Sequence, residues 1–361
     1  MRFFFDMRYL RTDFHDGVSR YSHELAHALY AQKPDIVFII CDPRQRDFLP
    51  TGAKTVMIHK SDSWKEPFSA FWLNRYHADV VASPLQTIGS IGRNYKLILN
   101  QQDMTYYKYP APPPFLAWPI KLIWRLYHAT HVIGRIMLNG ADIVSTVSEA
   151  SKREIQAAHM TKRPIIVVPN AARDLSGEMQ IVPRMTPATP RNLIYMGAFI
   201  PYKNVETLIK TMPLLPGRTL HLLSKISDKR KAQLLAIAND PNQIVFHGGV
   251  SDKEYAELLA DNAIMVSASR SEGFNLNLIE ALAFGTPAVV SDIPVHHEVG
   301  GEGALYANPD SPEDFAAKIT SLDSLEVRQK LTAKGIPHAK TFNWEHSASV
   351  LLEAAERLAH K

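Results

Sequence analysis

Two glutamates, Glu272 and Glu280, flank the seven residues Gly273-Phe274-Asn275-Leu276-Asn277-Leu278-Ile279. The first stands on a glycine turn and the second falls within a short helix. The turn follows an apolar run, residues 263–268, that reads as a buried strand. Asn275 can cap the helix, Gly285 can end it, and Pro287 opens the next apolar strand over residues 288–290. A strand, a glycine turn and a helix N-terminus make a ready anion site, because unpaired N–H groups and the helix dipole point at the turn. One carboxylate beside that site and a second about two turns on can hold the hydroxyls of a sugar and of a ribose, either side of a diphosphate.

A second constellation, His23-Glu24-Leu25-Ala26-His27, is a literal His-Glu-x-x-His. On a helix its histidines share a face and Glu24 can polarise a metal-bound water, the chemistry of a zinc peptidase. Three fixed residues arise easily by chance in a chain with 15 histidines. No downstream helix offers an obvious third ligand, and Asp42 and Asp47 lie near the next strand and its loop. His296-His297-Glu298, after Pro294, reads as polar residues of a turn following a strand.

The elements that must position these groups alternate from end to end. Apolar β-type runs near 3–6, 36–40, 56–58, 80–82, 97–99, 143–146 and 165–168 interleave with helices such as 18–31 and 150–159. Residues 173–191, rich in Pro, Ser, Gly and Thr, read as a linker between residues 1–172 and 192–344. The second half repeats the pattern with strands near 193–196, 220–223, 244–246, 264–267 and 288–290. A last helix spans about 345–358.

At 361 residues the chain is long enough for two cores, and at 46% hydrophobic and 21% charged it has an ordinary globular composition. Cys41 is the only cysteine, which excludes disulfides within the chain and suits a reducing compartment. Arg2-Phe3-Phe4-Phe5 is interrupted by Asp6 and Arg8, so a first strand is expected there rather than a signal peptide. Residues 1–172 hold 21 Lys and Arg against 14 Asp and Glu, a charge of +7, and the remainder carries −3. A basic first half suggests an anionic partner, yet no nucleic-acid recognition motif or dense basic run is present. Residues 109–114 are too proline-rich for helix. Residues 115–138 then mix Trp118, Ile120, Leu122, Ile123, Trp124, Leu126 and Tyr127 with Lys121, Arg125, His128, His131 and Arg135. They read as one amphipathic helix that either packs on the first domain or lies on an anionic membrane.

The segment from Glu272 to Glu280, with Gly285-Thr286-Pro287, resembles the donor-site signature of the retaining glycosyltransferases of family 4. The resemblance implies the GT-B fold: an α/β protein of two Rossmann-like doubly wound domains facing a central cleft. Residues 345–361 would then cross back onto the first domain. It implies that Glu272 contacts the transferred sugar and Glu280 the nucleotide ribose, with Gly273, Phe274, Asn275 and Leu276 around the diphosphate. Residues 194–204 resemble a turn ending in Lys-Asn, which puts Lys203 at the diphosphate. Residues 245–252 resemble the loop that receives the base, which puts Gly248 and Val250 there. Residues 167–171 resemble the segment closing the first domain. Asp16-Gly17-Val18-Ser19-Arg20-Tyr21 resembles the glycine loop facing the donor, with Asp6-Met7-Arg8 upstream, and it runs into the His-Glu-x-x-His helix in the phase that family expects.

Within that family the chain resembles bacterial enzymes adding mannose or related sugars to surface polysaccharides. It implies a cytoplasmic enzyme, peripheral on the inner membrane face in the docked reading, that needs no metal or cofactor. Its partners would be a nucleotide-sugar donor, GDP-mannose first and a UDP-sugar otherwise, and a glycan or lipid-linked glycan acceptor. Departures matter as much. Ser19 replaces a usual second glycine, and Ala198 and Tyr202 stand where an arginine often partners the lysine. Gln102 beside Asp103 replaces a usual histidine, and an amide cannot serve as a general base. These departures keep open a non-catalytic nucleotide-sugar-binding subunit.

Overall fold

The computed structural model describes residues 1–13, 16–112, 118–175, 180–183 and 185–360, with 119 and 123 as backbone only. It divides into two compact units, Met1–Asn170 with Asn343–Lys361, and Ala171–Phe342. Both are built on parallel sheets, as the near-continuous apolar character of the strands requires when both faces are covered.

In the first unit the strands are β1 (Phe3–Asp6), β2 (Val37–Ile40), β3 (Lys54–Met57), β4 (Val80–Ser83), β5 (Lys96–Asn100), β6 (Ile143–Thr146) and β7 (Ile165–Val167), in the order β3-β2-β1-β4-β5-β6-β7. Phe4, Ile39, Val81, Leu97, Leu99 and Val144 fill one side of this sheet. The C-terminal helix Trp344–Ala359, capped by Asn343, buries Ala348, Leu351, Ala355 and Leu358 in this unit. Ser347 Oγ donates to the Pro169 carbonyl at 2.7 Å, and Trp344 meets Tyr21 edge-on.

The second unit holds β8 (Asn192–Tyr195), β9 (Thr219–Leu222), β10 (Ile244–Phe246), β11 (Ile264–Ser267), β12 (Ala288–Ser291) and β13 (Ala304–Ala307), in the order β10-β9-β8-β11-β12-β13. Leu193, Tyr195, Leu220, Leu222, Val266 and Val289 make its core. In each sheet the strand order reverses once, between β1 and β4 and between β8 and β11. Ligands of doubly wound sheets bind outside the carboxyl ends of the strands at such a reversal.

Three expectations are corrected. The described residues within 173–191 do not form a linker between units but belong to the second unit. Arg328, 1% exposed, donates to the carbonyls of Thr186 and Ala188, and Arg218 donates to that of Pro190. Backbone too proline-rich to pair in a sheet is thus fastened by buried guanidinium groups. The single helix expected over 115–138 is two, Trp118–Ala129 and Val132–Asn139; residues 113–117, which include the last two prolines of the run, lie outside the described residues. At the second helix Gly134 approaches so closely that an added Cβ would fall 2.2 Å from Tyr107 Oη. His296-His297-Glu298 is not a turn but part of the helix Pro294–Gly300, which begins on its proline. No helix among the described residues is long and apolar enough to cross a membrane.

Candidate functional site

The chain leaves β8 through Met196–Phe199 and enters a single 3-10 turn, Pro201–Lys203, which ends with Asn204 in the left-handed region. Asn204 is held there because its Nδ2 donates to the carbonyls of Ala268 and Pro309. The neighbouring strand β11 ends in residues 268–275, which lead into the helix Leu276–Phe284. The two turns are laced together. Arg270 N–H donates to the Tyr202 carbonyl at 2.8 Å, and Asn277 Nδ2 to the Met196 carbonyl at 2.7 Å. Sequence neighbours of two separate strands therefore meet at the reversal of the sheet.

The result is a tight ion pair. Lys203 Nζ donates to both carboxylate oxygens of Glu272, at 2.7 and 2.8 Å, with the side chains only 20% and 11% exposed. Burial works to raise the Glu272 pKa, but the charge and hydrogen bonds of Lys203 outweigh it, and the carboxyl sits below its usual range. Gly273 and Phe274 are buried beside it. Asn275, at φ 75°, caps the helix by accepting from Leu278 N–H at 3.2 Å.

Behind Asn275 lies a residue that motif reading left aside. His296, fully buried, accepts from Asn275 Nδ2 at 2.9 Å, and its Nδ1–H donates to the Ser291 carbonyl at 2.8 Å. That pair of bonds fixes the neutral tautomer. Burial drives its pKa from the usual 6.5 to about 4. Since the unfolded chain binds this proton more readily, stability is full above pH 6.5 and is lost as pH falls towards 4, by about 3 kcal/mol. We expect urea unfolding midpoints to decline over that interval and the decline to shrink in His296→Gln, which keeps one donor and one acceptor. An identical pH profile in that variant would remove His296 from this account.

Glu280, the fifth residue of the helix Leu276–Phe284, is fully buried and receives Arg173 Nε at 2.8 Å. The same guanidinium reaches Asp252 at 2.7 Å. Asp252 opens the helix Asp252–Ala260, directly after the loop of residues 248–251. In that loop Gly248 and Gly249 stand at φ 73° and 115°, and Gly249 N–H donates to the Leu223 carbonyl. A side chain at either glycine would be strained. Arg173 thus joins Glu280 to the element that follows Gly248 and Val250. Its partner lies 107 positions away, which is why sequence reading passed over it.

The arginine absent from positions 198 and 202 has no replacement in Arg270, whose guanidinium pairs with Asp310. Arg230 does reach this turn: its Nε donates to the Phe199 carbonyl at 2.9 Å and it pairs with Glu206.

The remaining candidates belong to the first unit. Gly17 begins the helix Gly17–Gln32 with open space where a Cβ would stand, and Asp16 caps that helix by accepting from Ser19 N–H. Ser19 Oγ accepts from Arg11 N–H, fastening the loop after β1. Upstream, the buried Arg8 is clamped between Asp6 and Glu66 at 2.9 and 2.7 Å. Gln102, after β5, donates to the Pro84 carbonyl at 3.2 Å, and Asp103 accepts from Thr105 N–H at 2.8 Å. The His23 and His27 rings lie 4.6 Å apart, tilted at 46°, with Glu24 turned to His23 and His27 on the Phe48 carbonyl. Among the described residues no group of three or more His, Cys, Asp or Glu is placed to hold a metal.

Comparison with known proteins fits this geometry. The family described as Glycosyl transferases group 1 matches residues 183–340, which include Lys203, Glu272, Asn275 and Glu280. The second unit is a glycosyl transferases group 1 domain. The O-antigen chain mannosyltransferase B of Escherichia coli is 28% identical over 236 residues, 61% of this chain and 62% of the relative. The O-antigen chain mannosyltransferase RfbU of Salmonella typhimurium is 33% identical over 139 residues, 36% of this chain and 38% of the relative. The matches therefore span less than two thirds of these relatives' length. Among solved structures, sucrose-phosphate synthase from Thermosynechococcus elongatus superposes with a TM-score of 0.77 at 18% identity, covering 99% of this chain and 98% of that one. HepE of Anabaena, solved with UDP and glucose, gives 0.69 at 15% identity and 99% coverage of both. The group 1 domain and the unit that precedes it have the GT-B architecture.

Proposed function

We propose that the chain transfers a hexose, mannose from GDP-mannose as first choice, with retention, to a glycan or lipid-linked glycan acceptor of a surface polysaccharide. The carrying observation is the Lys203–Glu272 pair, which stands at the sheet reversal beside the N-terminus of the helix that bears Glu280. The choice of mannose rests on the relatives named O-antigen mannosyltransferases. In this reading the donor diphosphate takes Lys203 from Glu272. The freed carboxylate accepts from the sugar hydroxyls, while Glu280 accepts from the ribose. Negative charge grows on the diphosphate as the anomeric C–O bond breaks, and Lys203 with the N–H groups around residues 273–276 stabilises it. The acceptor hydroxyl's proton passes to the departing phosphate oxygen. Gln102 positions that hydroxyl, and Asp103 is its companion on the first unit. No step needs a metal or cofactor.

The test is a thermal unfolding series with GDP-, UDP- and dTDP-sugars. A donor at a hundred times its dissociation constant stabilises by about 2.7 kcal/mol, so GDP-mannose should raise the melting temperature above every other sugar nucleotide. A larger shift with a UDP-sugar would reassign the donor. No shift with any of them would overturn the reading.

A further inference from the structure

The turn that carries Lys203 is gripped by the segment that follows β9. Gly197 N–H donates to Ser224 Oγ at 3.0 Å, just past that strand. The buried Tyr195 donates its hydroxyl to the Ala198 carbonyl at 2.9 Å, so close that a Cβ on Gly197 would stand 2.7 Å from Tyr195 Oη. The next carbonyl, that of Phe199, accepts from Arg230 Nε at 2.9 Å, and Arg230 Nη2 pairs with Glu206. Arg230 belongs to the helix Asp228–Leu235, whose cap Ser227 accepts from its N–H, and Glu206 to the helix Val205–Thr211. Phe199 lies four residues before Lys203 and Glu206 three after it. One guanidinium therefore holds the chain on both sides of the lysine.

Asn204 and the Arg270 N–H fix the far end of the turn, at residues 202 and 204. Its near end depends on Tyr195, Ser224 and Arg230, and of these three only Arg230 reaches across Lys203. A guanidinium is a planar fork with donors at fixed angles, so it sets the spacing of the Phe199 carbonyl and the Glu206 carboxylate rather than merely attracting them. The Arg230 and Glu206 side chains are 24% and 33% exposed. An ion pair this open to water contributes little stability, which leaves geometry as its main effect. We infer that Arg230 is a positioning residue for Lys203: by bridging Phe199 and Glu206 it fixes the turn from which the ammonium reaches Glu272 and, in the donor complex, the diphosphate. The effect on the diphosphate rests on the proposed transfer from GDP-mannose, whereas the effect on Glu272 is a property of the donor-free chain.

Arg230→Met with Glu206→Gln breaks the bridge and leaves the local net charge unchanged, so Glu272 can respond only through Lys203. The side-chain carboxyl resonance of Glu272, assigned by its loss in Glu272→Gln, would be titrated by carbon NMR in the full chain. In the wild type it should titrate below the usual 4.5, under the influence of Lys203, and in the double variant it should move upward. Turnover of GDP-mannose, followed as released GDP, should fall about 10- to 100-fold in kcat with KM little changed, since a misplacement of about 1 Å can cost about 10²-fold. In a Lys203→Ala background the same two changes should cost nothing further, because a positioning residue acts only through the group it positions. Arg230→Lys, which keeps the charge and loses the fork, should fall between wild type and double variant, and it carries the test if the double variant melts below the assay temperature. An unmoved Glu272 titration, or an equal loss of kcat in the Lys203→Ala background, would overturn the inference. No turnover of GDP-mannose by the wild type would count against the donor reading instead, and the titration would still decide where Arg230 acts.

Discussion

Lys203→Ala is expected to lower turnover about 10²–10³-fold at saturating donor, a loss of roughly 3–4 kcal/mol of transition-state stabilisation, by analogy with removal of one oxyanion donor. The loss should fall on kcat more than on KM. In the donor-free chain Lys203 is already neutralised by Glu272, so part of what it gives a bound diphosphate is spent in leaving that carboxylate. A second signature follows from the same pair. The folded pKa of Glu272 lies below its usual 4.5, so the pair contributes stability that is present above that value and is lost as pH falls through the folded pKa. In Lys203→Ala the two largest influences that lower the pKa are gone and burial is opposed only by His296 and the Ser269 hydroxyl, so the acid-side loss should shrink while stability at neutral pH drops. Gln102→Ala, which in the proposed reading removes only a positioning hydrogen bond, should cost less turnover than Lys203→Ala. Near-normal kcat in Lys203→Ala beside a dead Asp103→Asn would make Asp103 the base and end the phosphate-assisted picture.

The parts of this site that could be read from sequence are those whose partners are local. Gly273, Asn275 and Gly285 announce a strand, turn and helix within 13 residues, and the structure has that helix at Leu276–Phe284. The alternation of apolar runs likewise locates twelve of the thirteen strands among the described residues. The missed strand, β13, is four residues long and offers only Leu305 and Tyr306 as strand formers, behind Gly300, Gly301 and Gly303. What stayed hidden depends on distant partners. His296 reads as a polar turn residue until Asn275 and Ser291 are placed on either side of it. Residues 173–191 have the composition of a linker, and only the buried side chains of Arg218 and Arg328 show that Thr186, Ala188 and Pro190 are packed. The exposed Trp118, Leu122 and Leu126 have the spacing of a core face. Periodicity names a face without saying which way it points.

Glu280→Ala should separate binding from folding. If its carboxylate accepts from the ribose, free nucleoside diphosphate and nucleotide-sugar should both weaken by roughly 1.5–3 kcal/mol, the worth of a charged hydrogen bond. Glu272→Ala should instead hurt the sugar donor more than the free nucleotide, because the sugar is absent from the latter. Glu280 has a second task, however. Its partner Arg173 is only 7% exposed, so truncation leaves a buried guanidinium with Asp252 alone. Breaking a buried pair from one side costs about 3–5 kcal/mol of stability. The double variant Glu280→Gln with Arg173→Met removes both charges and should recover much of that loss, since an apolar replacement of a whole buried pair is often close to neutral. It should not recover nucleotide affinity, because the ribose still lacks its carboxylate. Calorimetry on the folded double variant therefore decides the assignment. Wild-type affinity for the nucleoside diphosphate there would reduce Glu280 to a structural partner of Arg173, and the ribose would have to be held by other groups near the loop of residues 248–251.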